Sequence, residues 1–475
     1  MHYLGVPTTR AGSVVSSDTH VVRDIFYNGN PKKERATIIL RIAPSFLRFG
    51  SFEIFKPRDP ETQREGPSVK NIKLLFKLLD YTVETFYPDI WRSTTDPEVR
   101  YLSFYQEVVR RTARLVAEWQ SVGFCHGVLN TDNMSILGLT IDYGPYGFLD
   151  FYDPDFICNG SDDGGRYSYK NQPEMCHWNC KKLAEALAMA ISLTDSEREL
   201  ERIYWPEYNK HYNQKMRNKL GLLQKEEEGD EQLVKSFFDA MHESGADFTN
   251  SFRGLARVAL PSPSETIAEK DEAEDEALAY LLQQVCSAAF MSKRDGPSIP
   301  METLQMMISV AQQNPMMLQM FGMTPQKLIR EINKLKKQEE RGSGAGNVDS
   351  AKRENDTLIW KAWLKKYRER LQREVSGASD DEIRELNERR VQTMNRNNPK
   401  FALRNYIAQN AIEKAENGDF SETERLLTRA LYHPYGEQTR VPARAKLEVA
   451  EAPQAGSARY RIPTLCTLRF AKKTA

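Results

Sequence analysis

The hydrophobic pattern of this chain changes its period once, close to Pro67, and that change limits the fold more than any other feature. Before it, apolar residues such as Ile38, Leu40 and Ile42 alternate with their neighbours, which is the period of a β-strand. After it, they recur every three or four residues, which is the period of an amphipathic helix. The chain has 475 residues, a length that suggests two to four compact units. We therefore predict an α+β fold with a β-rich start and a long helical remainder.

The N-terminal strands carry an arginine of particular interest. The valines at 14–15 and 21–22 are separated by the polar run Ser17 to His20, which predicts a hairpin turn there. A strand from Ile38 to Ile42 would place Arg41 on the face opposite its apolar residues. The pattern therefore predicts a sheet with one apolar face and one face that presents Arg41.

Helices are predicted for most of the chain that follows. One amphipathic pattern stops at Pro88, and another begins after Asp96-Pro97. The Asp-, Gly- and Tyr-rich segment 151–173 predicts a long loop. The acidic stretch Glu269 to Glu276 and the Gly/Ser-rich stretch Arg341 to Asn347 indicate a surface insertion and a linker. The predicted divisions are a β-rich segment at 1–66, a segment with the polar motif described below at 67–205, a helical extension at 206–435 and a disordered tail at 436–475.

Composition and charge exclude several classes of function. Lys plus Arg and Asp plus Glu both total 66, so the formal net charge is zero. The chain lacks the field of one sign that drives non-specific binding to nucleic acid. No run approaches the roughly 20 apolar residues that span a bilayer. We therefore expect no nucleic-acid partner and no membrane partner.

The six cysteines match neither a disulfide framework nor a zinc site. Cys176 and Cys180 are spaced C-x₃-C, but no second Cys or His pair lies near enough in sequence to complete a tetrahedral site. We predict that these two residues pack inside a protein made largely of helices. Cys466 near the end of the chain is a candidate for a redox role on its position alone.

The segment from Phe124 to Gly144 carries the residues suited to chemistry. His126 lies in a loop after a predicted helix, Asn133 follows it, and a short hairpin then leads to Asp142-Tyr143-Gly144. This order resembles the catalytic centre of protein kinases and aminoglycoside kinases. In that pattern Asn133 and Asp142 supply the oxygen ligands that suit Mg²⁺ bound mainly through nucleotide phosphates.

One position departs from the kinase pattern. Val128 stands where a kinase has its catalytic Asp, and valine neither accepts a proton nor orients a hydroxyl. A carboxylate occurs instead at Asp132, directly before Asn133, where it would serve as general base if the nucleotide lay differently in the cleft. The sequence thus indicates a kinase scaffold with altered chemistry, of the kind called a pseudokinase.

The same residues also have a purely structural interpretation. Asn and Asp are frequent in turns and helix caps, so each polar residue of the motif could serve the fold alone. Their order between apolar segments favours a site instead. Arg41 and Arg48 have the same two interpretations. Most arginines on strands are solvated, yet a guanidinium beside a nucleotide cleft binds phosphate through paired hydrogen bonds.

Longer runs resemble one family, selenoprotein O (the SelO/YdiU group), whose members are kinase-fold protein adenylyltransferases. The resemblance extends over most of residues 4–430. The runs that carry it are Leu4 to Ala11, Leu40 to Glu53, Gly123 to Asp150 and Asn398 to Ala411.

The resemblance implies a protein-kinase-like bilobal fold with a truncated β-rich N-lobe and a large α-helical C-terminal extension. Members of the family bind ATP upside down relative to kinases and, with Mg²⁺ or Mn²⁺, transfer AMP to Ser, Thr or Tyr hydroxyls of proteins. Such an inversion would explain the missing kinase Asp. In this sequence Asp132 resembles the proton acceptor, Asn133 and Asp142 the metal ligands, and Arg41, Arg48 and Asp142 the nucleotide contacts.

The family also has parts that this sequence does not match. Its Gly-rich phosphate loop, its nucleotide-binding Lys and the Glu partner of that Lys precede the part that matches Leu4. We therefore expect the sequence to be truncated and to bind ATP weakly. Eukaryotic members often end in Cys-x-x-selenocysteine, whereas Thr467 to Phe470 follow Cys466 here. The insertion near 266–300 resembles animal members, which implies a mitochondrial location with the transit peptide outside this sequence.

Three functions stay open at this level. The first is a protein adenylyltransferase with Asp132 as base and Asn133 and Asp142 at the metal. The second is a conventional kinase-like phosphotransferase, which would have to transfer the γ-phosphate despite Val128. The third is an inactive nucleotide-binding or regulatory module, because the phosphate-binding segment is missing from the sequence.

Overall fold

The structure is a computed structural model, and it describes residues 1–24, 29–59, 63–262, 264, 267–296, 299–313, 324–340 and 348–436. The predictions for Arg341 to Asn347, for Cys466 and for the tail beyond 436 lie outside the described residues. The described chain combines two small sheets with many helices, so the α+β class is confirmed.

The N-terminal strands form an antiparallel pair, β1 (Arg10–Arg23) and β2 (Lys32–Ile42). The turn predicted at Ser17 to His20 is wrong, because β1 continues through it and the pairing register shifts between Ser16 and His20. An irregularity of this kind places extra residues in a strand without ending it. β2 covers the predicted strand and pairs Arg41 with Ala11.

A short helix follows β2, and the longer helices begin after Pro67, where the hydrophobic period changes. Asn71 and Asp96 start two of them by accepting hydrogen bonds from backbone N–H groups of the first turn, the Asn71 side chain from Leu74 and the Asp96 side chain from Glu98. The first helices are α1 (Gly50–Glu53), α2 (Ile72–Phe86), α3 (Pro88–Ser93), α4 (Pro97–Ser121) and α5 (Gln172–Leu187). Cys176 and Cys180 are fully buried on α5, as expected for residues that pack in a helix.

The chain between α4 and α5 forms the second sheet and several turns. β3 (Phe124–Cys125) pairs with β4 (Gly147–Phe148), and a 3₁₀ turn covers Thr131–Asn133. The strand-like run Met134 to Leu137 makes only isolated bridges, because Met134 pairs with Thr140 and Ser135 with Arg48. The bridge between Ser135 and Arg48 joins the motif segment to the chain that follows β2.

The remaining described chain is helical. Its helices are α6 (Leu193–Leu220), α7 (Asp230–Ser244), α8 (Phe248–Gly254), α9 (Ile267–Gln283), α10 (Ala288–Asp295), α11 (Met301–Gln313), α12 (Pro325–Glu340), α13 (Val348–Glu374), α14 (Asp380–Asn397), α15 (Asn405–Glu416) and α16 (Ser421–Arg425). The acidic stretch Glu269 to Glu276, predicted as a surface insertion, is part of α9, as suits its four Glu residues. Among the described residues, no helix is long and apolar enough to cross a membrane.

Two large apolar cores organise these helices. The first surrounds α4 and includes Ile203 and Tyr204 of α6, whereas the second includes Met216 and Leu220 of the same helix. The predicted boundary at 205 therefore falls inside a continuous helix, and the division into segments stays a prediction. Cys125 of β3 belongs to the second core, so the segment that carries the motif lies where both cores meet.

The helical extension also holds the chain that leaves β4. The backbone N–H of Tyr152 donates to the carbonyl of Ala246 at 3.1 Å. Next to it, Arg404 makes two hydrogen bonds of 2.7 Å to the buried carboxylate of Asp247. A guanidinium that binds a carboxylate through two hydrogen bonds fixes the orientation of the two groups as well as their distance. The run Asn398 to Ala411, which contains Arg404, thus helps to position the exit from the motif segment.

Candidate active site

The loop from His126 to Asn133 is held by side-chain amides. Three consecutive backbone carbonyls each accept a hydrogen bond: Gly127 from Asn159 at 3.1 Å, Val128 from Asn133 at 2.9 Å and Leu129 from Asn179 at 2.8 Å. Buried carbonyls need such partners, and each neutral bond stabilises the loop by about 1 kcal/mol. The loop is thus fixed by its own Asn133 and from two other parts of the chain.

His126 ties this loop to the next one. The ring is buried, and its Nε2 lies 2.9 Å from the carbonyl of Ile141, the residue before Asp142. Burial lowers the pKa of His126, so the ring is neutral at pH 7 and donates its Nε2–H to that carbonyl. The backbone N–H of His126 donates to Gln172 at 2.8 Å, and the Gln172 amide donates to Phe124 at 2.8 Å. His126 therefore has a positioning role.

Asn133 is oriented by the bond to Val128. Its Nδ2 faces the Val128 carbonyl, so Oδ1 is the end of the carboxamide that is left for a metal ion. An Asp in place of Asn133 would have no N–H donor for this carbonyl, so its side chain would not be held in this orientation. Val128, which stands where a kinase has its catalytic Asp, thus orients the proposed metal ligand Asn133 through its backbone oxygen.

Asp142 has an uncommon backbone conformation, with φ at 55°. Asp tolerates this left-handed region better than most residues with a side chain. The next residue, Tyr143, is fixed because its hydroxyl bonds to that of Thr8, and burial raises its pKa. The Asp142 carboxylate is therefore presented from a defined turn.

Both arginines singled out in the sequence contact Asp142. Arg41 pairs with Oδ1, and Arg48 Nη1 lies 2.8 Å from Oδ2. The same Arg48 nitrogen donates to the backbone carbonyl of Asp132 at 2.9 Å. One guanidinium therefore joins the two carboxylate-bearing loops, and the structure brings together Arg41, Arg48, Asp132 and Asp142.

Asp132 lies in the 3₁₀ turn and is exposed. Within the described residues, no hydrogen bond or ion pair engages its carboxylate, since only its backbone oxygen is bound by Arg48. A carboxylate without a partner is free to accept a proton from an incoming hydroxyl. That availability distinguishes Asp132 from Asp142, whose two oxygens are both paired.

The donor set was tested against a divalent metal. The described residues contain no cluster of three or more His, Cys, Asp or Glu side chains that would form an all-protein site. Mg²⁺ is commonly held by one or two protein oxygens together with nucleotide phosphates. Asn133 Oδ1 and the Asp142 carboxylate fit that pattern, provided that Asp142 exchanges its arginines for the metal.

Sequence reasoning missed the residues that support the loop. Gln172, Asn159 and Asn179 lie 26 or more residues beyond Asn133 in the chain, on the loop after β4 and on α5. Their spacing carries no motif, because they meet the loop only through the fold. A fully buried amide such as Gln172 or Asn179 is the signal that identifies them once burial is known.

Comparison with known proteins identifies the family of this chain. Residues 1–431 match the family described as protein adenylyltransferase SelO, and the chain belongs to that family. It is 49% identical over 437 residues to the mitochondrial protein adenylyltransferase SelO-1 of Danio rerio, covering 92% of this chain and 62% of the relative. It is 48% identical to the mitochondrial SelO of Homo sapiens, covering 92% and 63%.

A bacterial relative is more distant. The protein nucleotidyltransferase YdiU of Burkholderia cenocepacia is 36% identical over 461 residues, covering 94% of this chain and 66% of the relative. The chain thus spans a little under two thirds of the length of these relatives.

Proposed function

We propose that this chain is the catalytic part of a protein adenylyltransferase that transfers AMP from ATP to Ser, Thr or Tyr hydroxyls of proteins. The observation that carries the proposal is the pairing of Asp142 with Arg41 and Arg48, beside an Asp132 carboxylate that has no partner among the described residues. Two guanidinium groups suit the phosphates of a nucleotide, and the free carboxylate suits a proton acceptor. The names of the SelO and YdiU relatives support the same activity.

The fold proposed for this activity is kinase-like and bilobal, with β1 and β2 in the smaller lobe. Arg41 and Arg48 bind the nucleotide phosphates and release Asp142. Asn133 Oδ1 and Asp142 hold Mg²⁺ or Mn²⁺, which when bound neutralises phosphate charge. The two loops that present these ligands are joined through His126, so the ligands keep one relative position.

Asp132 is the proposed base. It accepts the proton of the acceptor hydroxyl while the hydroxyl oxygen forms a bond to the α-phosphorus of ATP. The bond from the α-phosphorus to the bridging oxygen breaks, and pyrophosphate leaves. Val128 offers no carboxylate for the corresponding kinase step, which favours adenylyl over phosphoryl transfer.

The experiment uses ATP labelled on the α-phosphate in one reaction and on the γ-phosphate in another, each with Mn²⁺ and a protein acceptor. Transfer of the α label alone, lost in Asp142→Ala, is the expected result. Transfer of the γ label would establish a kinase instead. Absence of both labels, with no nucleotide binding, would favour the regulatory module. The names of the vertebrate relatives support a mitochondrial location, which imaging of the tagged full-length protein would test.

A further inference from the structure

We infer that Gly50 is a positioning residue for Asp132: the lack of a side chain at residue 50 creates the space in which the proposed base lies. This inference rests on the proposed function, because it concerns the group that accepts the proton. It assigns a role to a glycine that contacts neither nucleotide nor metal in the proposed mechanism.

The geometry comes from the approach of α1 to the motif loop. A Cβ built on Gly50 would overlap Oδ1 of Asp132 and lie 3.2 Å from its Cγ, but it would be 3.5 Å from the Cα of Asp132. The last distance is an ordinary contact, so the backbone of the loop has room. The conflict is confined to the carboxylate, which must rotate away if residue 50 gains a side chain.

The neighbourhood keeps the backbones in place. The backbone N–H of Phe49 donates to the carbonyl of Met134 at 2.9 Å, and the Arg48 side chain bonds to the Asp132 carbonyl. These hydrogen bonds, made by the two residues directly before Gly50, hold the start of α1 against the turn. The Asp132 side chain, which has no partner of its own among the described residues, is the part that yields most easily.

The need for glycine here is spatial. Gly50 begins α1 and has no positive φ, so alanine suits its backbone. Alanine is the better helix former, and on that ground Gly50→Ala should not weaken the fold. If Gly50 were needed only for its conformational freedom, Gly50→Ala would be expected to weaken the fold. Gly50→Ala should thus lower catalysis without lowering stability.

The first test is a thermal unfolding cycle on the full chain, with the wild type, Gly50→Ala, Asp132→Ala and the double variant. In the Asp132→Ala background the new methyl group meets no carboxylate, and we expect Gly50→Ala to raise the melting temperature by about 2 °C. In the wild-type background we expect no rise, because the methyl group displaces Asp132. Equal shifts in both backgrounds would overturn the inference, whatever the activity of the chain.

The second test is the same cycle measured as α-label transfer. Gly50→Ala should lower kcat about 100-fold, the cost of a misplacement near 1 Å, with the affinity for Mn²⁺ and ATP changed by less than twofold. In the Asp132→Ala background it should have no further effect on kcat. A further loss there, or a change confined to KM, would contradict a role through Asp132. Gly164→Ala is the matched control, since a Cβ at Gly164 meets no atom within 4 Å.

The two tests separate this inference from the proposed function. If the wild type transfers no α label, the proposed activity fails, and the unfolding cycle still decides whether Gly50 and Asp132 compete for one space. If the label is transferred but the effects of Gly50→Ala and Asp132→Ala simply add in both cycles, the proposed activity stands and the inference about Gly50 fails.

Discussion

The two parts of the candidate site are held in different ways. The loop from His126 to Asn133 is largely buried and bound by neutral amide groups, whereas the hairpin of β1 and β2 is exposed, with Ile38 at 67% and Leu40 at 54% of full exposure. Arg41 reaches the site from that hairpin and is itself 46% exposed. Buried hydrogen bonds fix one side, and solvent-accessible ion pairs hold the other.

This contrast indicates that the two sides of the site have different roles. The side with the proposed base and Asn133 is fixed by hydrogen bonds within the protein. The side with the phosphate-binding arginines depends on Asp142 as a partner and can exchange it, because an exposed ion pair contributes little free energy. Four predictions test this difference, beginning with the largest expected effect.

Asp142→Ala should abolish metal-dependent nucleotide binding, with a loss of more than about 100-fold in affinity, because it removes a metal ligand and the partner of both arginines. Calorimetric titration with Mn²⁺ and ATP measures the loss. Asp142→Asn is the control for the backbone, since Asn also tolerates the positive φ and removes only the charge. Wild-type affinity in both variants would show that Asp142 holds no metal.

Gln172→Leu should lower the free energy of unfolding by about 2–4 kcal/mol, because the buried His126 N–H and Phe124 carbonyl would both lose their partner. Urea unfolding measures this loss. Gln232→Leu, at an exposed position of α7, is the matched control and should change stability by less than about 0.5 kcal/mol. Similar effects at both positions would contradict the view that the buried loop depends on its amide bonds.

Arg41→Met should leave the free energy of unfolding within about 0.5 kcal/mol of the wild type. It should weaken ATP binding about tenfold and strengthen Mn²⁺ binding without nucleotide, because Asp142 loses a competing cation. Separate titrations with ATP and with Mn²⁺ check the direction of each change in affinity. Arg35→Met is the control on the same strand, where the pairing is with Asp18 and both side chains are exposed. Weaker Mn²⁺ binding in Arg41→Met would refute the exchange of partners.

The smallest expected effect is the pH dependence due to His126. Its pKa is lowered in the folded state by burial, so the unfolded chain binds more protons between the folded pKa and the unfolded value of 6.5. Stability should therefore fall as the pH drops below about 6.5, and the fall should be smaller in His126→Gln. Denaturant unfolding at pH 5.5 and pH 8 measures both. An equal loss of stability between pH 8 and pH 5.5 in the wild type and in His126→Gln would show that His126 does not contribute to the pH dependence.

Local patterns in the sequence identified the strand with Arg41, the early helices and the polar motif. The alternation in β2 and the helix start at Asp96-Pro97 depend on neighbouring residues only, so they can be recognised without the fold. The turn predicted within β1 failed, because four polar residues can either end a strand or be accommodated by a shift in register. Only the pairing with β2 decides between these outcomes.

The sequence by itself determined which residue types are available: a carboxylate at Asp132, an Asn and Asp pair suited to a metal, and two arginines before the motif. Tertiary structure decided their arrangement. It alone placed both arginines on Asp142, left the Asp132 carboxylate without a partner in the described part of the chain and set Gly50 against it. The physical reason is that chemical type belongs to single residues, whereas proximity, burial and the choice of hydrogen-bond partner depend on segments that are distant in the chain and meet only when it folds.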